Sequence, residues 1–106
     1  MTTFEDRKKA EEARYKHDEE FRFKVTVRRN KLLGLWVAEH FGLAADAAAT
    51  YAKEVVKSDF ERVGDSDVVE KVLGDFAARK IEMDEHRLRK QMERLLETAR
   101  EQMTSE

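Results

Sequence analysis

The sequence predicts an all-α protein, a four-helix bundle with a protruding N-terminal arm that is partly disordered or helical. Three observations carry this. Proline is absent and glycine occurs only four times in 106 residues, so few positions interrupt a helix. The charged residues, 42% of the chain, are mostly Glu, Lys and Arg, which are good helix formers. Beyond residue 20, apolar residues recur at spacings of three and four. The length suits one compact domain, over 19–106, with residues 1–18 as an appended arm.

In residues 1–20 only Phe4, Ala10, Ala13 and Tyr15 are apolar beyond Met1, and no stripe joins them, so this segment cannot fill a core. Its helical tendency is still plain. Thr2 or Thr3 stands three residues before Glu5 or Asp6, as in a capping box, and Glu5/Lys9, Lys8/Glu12 and Glu12/Lys16 are four-residue charge pairs. A rod running from this segment into the next helix would reach about 60 Å, against about 27 Å for a helix of about 18 residues, so the excess must stand out. Asp18, Glu19 and Glu20 offer a cap for a break that would hinge the arm.

The stretch after the arm alternates like a strand, with Phe21, Phe23, Val25 and Val27 between Arg22, Lys24, Thr26 and Arg28. A lone strand would have no partner in this sequence, whereas Val25, Leu32 and Trp36, with Val37 and Phe41, make a broad helical face. The segment therefore reads as the first core helix, stopped by Gly42, with Gly34 marking close helix packing. A second helix carries Ala48, Ala52, Val55, Val56 and Phe60 from near Asp46 to before Gly64. A third carries Val69, Val72, Leu73 and Phe76, with its start signal in Asp65, Ser66 or Asp67. The last places Leu88, Met92, Leu95, Leu96, Ala99 and Met103 on one face behind Asp84 as N-cap.

Composition excludes several function classes. Without cysteine there is no disulfide framework, thiolate zinc site or cysteine nucleophile. The longest uncharged run, Leu32 to Ala38, is far too short to cross a bilayer, so direct membrane insertion is not expected. A net charge of -2 argues against nucleic acid as a partner. Ser58, Ser66 and Ser105 have no glycine-rich loop, nucleophile elbow or histidine pair beside them, so an enzyme is not expected. His17, His40 and His86 are scattered; Glu82 and His86, four apart, would share a helix face that could bind a metal but more often means two solvated groups, so no metal or other cofactor is expected. The one positive block lies over residues 21–42, where five basic groups face Glu39 alone. Arg22, Lys24, Arg28, Arg29 and Lys31 beside Trp36 are candidates for weak binding of ATP, ADP or another anion, with a solvated helix face as the plainer reading. His17, beside Asp18, Glu19 and Glu20, is a candidate pH-sensitive group at the root of the arm.

Several blocks read together resemble one family. Met1-Thr-Thr-Phe-Glu-Asp-Arg7, Tyr15 to Glu20, Phe23-Lys24, Arg28-Arg-Asn-Lys-Leu-Leu-Gly-Leu-Trp36, Tyr51-Ala52, Val55-Val56, Asp59-Phe-Glu61 and Gly64 to Val68 resemble the zeta subunit of the F-type ATP synthase of alphaproteobacteria. The resemblance spans the chain and is loosest in the C-terminal third. It implies a cytoplasmic four-helix regulator that meets the membrane-bound ATP synthase through its catalytic head and inhibits ATP hydrolysis in the manner of the mitochondrial inhibitor protein. It implies that the N-terminal helix inserts at a catalytic interface between the alpha and beta subunits, with gamma as a further contact, and blocks rotation in the hydrolytic direction. The side chains it assigns to the inhibitory arm are Phe4, Arg7, Lys8, Arg14, Tyr15 and His17. The chain departs from the family pattern at Tyr15, commonly Phe, and at Lys16, commonly Ala.

Overall fold

A chain without proline and rich in helix formers becomes helix wherever apolar side chains can be gathered on one side. Four helices result: α1 (Phe4–His40), α2 (Ala45–Ser58), α3 (Ser66–Ala78) and α4 (Glu85–Ser105). The structure, a computed structural model, describes residues 4–59 and 64–105, with side chains from residue 18 onward. Among the described residues there is no strand, so the alternating segment after Phe21 is helix, as its lack of a pairing partner requires. The side chains of the arm, and Phe60 of the α2 stripe, lie outside the described residues.

Helix α1 is the spine, 37 residues long and continuous through Asp18, Glu19 and Glu20, where the sequence suggested a break. It packs chiefly against α2 and α4. Its buried face is Val25, Leu33, Val37 and Ala38. This corrects the face expected around Val25, Leu32 and Trp36: the seam advances by fours from Val25 through Arg29 and Leu33 to Val37, and Leu32 and Trp36 flank it half-buried. From α2 the core takes Tyr51, Ala52 and Val55, from α3 Val68, Val69, Val72 and Phe76, and from α4 Leu88, Met92 and Ala99. Each large apolar side chain of this set contributes about 1.5–3 kcal/mol by leaving water. Phe41 closes one end of the cluster, edge-on to Phe76 at 4.8 Å and to Tyr51 at 5.5 Å between ring centroids.

The helix ends explain the turns. After α1, the Leu43 N–H donates to the Ala38 carbonyl at 3.0 Å and the Gly42 N–H to the Glu39 carbonyl at 3.1 Å, with Gly42 at φ +69°. That is a Schellman stop, which glycine suits because it has no Cβ to clash in the left-handed region. The same pattern ends α3, where the Ile81 N–H reaches the Phe76 carbonyl and Lys80, not a glycine, takes φ 59°. Asp84 caps α4 as its spacing predicts: its Oδ1 accepts from the Arg87 N–H at 2.7 Å.

Candidate functional site

Among the described side chains of α1, full burial begins at Val25. Asp18, Glu19, Glu20, Arg22, Phe23 and Lys24 are exposed and Phe21 is half-buried, so Val25 is the first buried side chain of the helix among those described. Phe23, 57% exposed, is a large apolar group presented to solvent. The candidate arm residues Phe4, Arg7, Lys8, Arg14, Tyr15 and His17 precede this point, and their side chains lie outside the described residues.

The basic run that follows does not act as one patch. Lys24, Arg28 and Lys31, at helical spacing, line one open cleft of about 540 Å³ together with Leu35, Val56 and Met103. Arg28 Nη1 donates across it to Gln102 Oε1 at 3.3 Å, tying α1 to the end of α4. Arg22 is exposed but does not line the cleft. Trp36 is turned elsewhere, its ring 4.4 Å from that of His40.

Arg29 points inward, against its expected place on a solvated anion-binding face. It is 3% exposed, and its Nη2 donates to Asp65 Oδ1 at 2.8 Å while its Nε donates to Asn30 Oδ1 at 2.8 Å. Asn30 in turn donates from Nδ2 to Asp59 Oδ2 at 2.9 Å. A buried guanidinium is tolerable only when its donors are matched by acceptors, and the segment between α2 and α3 supplies them. Asp65, a candidate cap for α3, sits at the N-cap position but makes no side-chain cap bond there, its carboxylate being held by Arg29. Asn30, Asp59 and Asp65 thus pin the α2–α3 connection to α1. The only sequence signal for this is the adjacency of a charge and an amide on an otherwise core-facing row of α1.

Other polar groups tie the helices together or cap their own backbone. Tyr51 Oη donates to Asp75 Oδ2 at 2.8 Å, and Lys71 Nζ stands 3.1 Å from the same oxygen and 3.5 Å from Glu54. Burial first, and then the hydrogen bond to Asp75, push the Tyr51 phenol well above the ordinary tyrosine range, so it stays a neutral donor. Ser58 and Ser105 donate to backbone carbonyls of their own helices. Glu82 lies in the connection before α4 while His86 is on α4, so the two do not share a helix face as their spacing suggested. Among the described residues no three His, Asp or Glu side chains converge as metal ligands. What the described surface offers is binding: the exposed side chains between Asp18 and Lys24 and a cationic, apolar-floored cleft.

Comparison with known proteins places the chain in a family. A family model described as ATPase inhibitor subunit zeta matches residues 1–102. A protein solved by solution NMR is 47% identical, with the alignment covering 78% of this chain and 94% of that one at a TM-score of 0.70. No curated protein matches the chain. Among the described residues no helix is long and apolar enough to cross a membrane.

Proposed function

The chain belongs to the ATPase inhibitor subunit zeta family, a family of regulatory subunits rather than enzymes, and from that premise we propose that it inhibits ATP hydrolysis by the F-type ATP synthase through its N-terminal arm. The arm, residues 1–18, enters a catalytic interface between alpha and beta subunits of the head and blocks rotation in the hydrolytic direction, with gamma as a further contact. The observation that supports this is where the core takes hold of α1. No described side chain before Val25 is buried: of residues 18–24 only Phe21 is even half-buried, which supports an arm available to a partner.

The chemistry of the arm suits such a role. An isolated helix of this length is marginal in water, because nucleation is costly and no apolar stripe compensates it. Binding in a groove would supply the missing apolar contacts, with Phe4 and Tyr15 as anchors and Arg7, Lys8 and Arg14 meeting carboxylates of the partner. The bundle, held on the cytoplasmic side by the same contact, stays outside the head.

The test is ATP hydrolysis by the isolated catalytic head with the full chain and its Phe4→Ala and Tyr15→Ala variants. Anchoring aromatics are worth 2 kcal/mol or more, so each variant should need roughly 30-fold more protein for half-inhibition. Unaltered inhibition by both variants would remove the arm from the mechanism.

A further inference from the structure

We propose that the trough between α1 and α2, running on to the end of α4, is a docking site for an acidic amphipathic helix of a partner protein. Two open clefts, about 540 Å³ and 420 Å³, adjoin each other and share Lys31, Leu35 and Val56. Leu35 and Val56 are half-buried at their junction, so an apolar floor is left open there, beside the Arg28–Gln102 hydrogen bond that spans the α4 end of the trough. Lys24 and Lys31 stand on the α1 rim and Lys53 and Lys57 on the α2 rim, all exposed, and neither cleft is lined by an acidic residue. Among the described residues none of these four lysines makes an ion pair.

Charge and shape together choose the occupant. An apolar floor between two cationic rims is complementary to a helix with a leucine-like stripe flanked by carboxylates, the helix-in-groove mode of recognition. From Phe23 to Leu35 the floor runs about 18 Å along α1, the length of about 12 residues of a partner helix. A nucleotide would want donors converging on one phosphate group, whereas these cations are strung along two rims and Arg29 is withdrawn to Asp65. A flat bilayer would meet the lysines without reaching the floor between them. The proposal goes beyond the inhibitory reading and holds or falls without it, since its test contains no ATPase.

The test is an NMR titration of the isotope-labelled full chain with a synthetic helical peptide of about 15 residues, leucines on one face and glutamates on the other. A scrambled peptide of the same composition, ATP, and phosphatidylglycerol vesicles serve as the other arms. The expected result is shifts confined to residues 23–35, 49–57 and 102–103. Binding should weaken at least about tenfold with the scrambled peptide, and by as much in the Lys31→Glu/Lys53→Glu variant, whose exposed side chains leave the core untouched. Equal binding of the scrambled peptide would reduce the trough to a patch of charge and overturn the proposal. So would shifts elsewhere on the bundle, or a response to ATP or vesicles with none to the peptide.

Discussion

Gly34 lies against the backbone of Ala52: a Cβ placed on the glycine would stand 2.5 Å from the Ala52 Cα and 3.0 Å from its Cβ. Helices α1 and α2 therefore cross at this point with nothing between their main chains. One turn before this crossing on α1, Asn30 reaches Asp59, just past the end of α2.

Gly34→Ala should destabilise the protein although alanine is the better helix former. The propensity gain is up to about 1 kcal/mol, whereas the added methyl meets backbone that can yield only by separating the helices, a cost of about 1–3 kcal/mol. Chemical denaturation should show a net loss, and a variant more stable than the parent would mean that the helices do not cross here.

Leu33→Ala should cost about 2–5 kcal/mol, and Leu32→Ala, one residue away, clearly less. Leu33 is fully buried among α2, α3 and α4 residues, while Leu32 is half-buried at the edge of the open cleft. Equal losses in denaturant would contradict the rotated face of α1.

That rotation shows what could be read from the sequence and what could not. The stop at Gly42 and the start at Asp84 were legible, because each acts through a local rule of backbone geometry. The helical reading of the Phe21 segment was legible for the same reason, since a strand without a partner has no place for its hydrogen bonds. The seam of α1 was not, because it includes Arg29 and Asn30, and apolar periodicity counts both as surface. They are buried only because Asp59 and Asp65, about 30 residues away, arrive opposite them. Long-range polar pairing leaves no periodic mark. The basic candidate face lost Arg29 in the same way, and kept Lys24, Arg28 and Lys31 in one cleft.

Asp65→Ala should cost about 1–3 kcal/mol, the penalty for leaving a buried guanidinium short of an acceptor. Asp65 itself is 43% exposed, so water can partly replace it and the lower half of that range is expected. A loss under about 0.5 kcal/mol in urea would show that Arg29 finds other partners.

Alkaline stability should depend on Tyr51. Its pKa is raised in the folded state by burial and by Asp75, from an ordinary value of 10.0, so above that pH the unfolded chain loses the phenolic proton first. The contribution is intact below about pH 10 and falls as pH rises beyond it. Tyr51→Phe should cost about 1 kcal/mol at neutral pH through the lost hydrogen bond, yet flatten the decline above about pH 10. Parallel declines in parent and variant would clear Tyr51 of that role.

The arm mechanism is tested most directly by deleting residues 1–18 and comparing the truncated and full chains, at equal concentration, as inhibitors of ATP hydrolysis by the isolated catalytic head, with circular dichroism as the check on folding. Since the first buried side chain of α1 is Val25 among those described, the truncated chain should keep its helical signal and cooperative unfolding. The expected result is inhibition by the full chain and none by the folded, truncated one. Equal inhibition by both would contradict the arm mechanism outright and move the inhibitory contact onto the bundle.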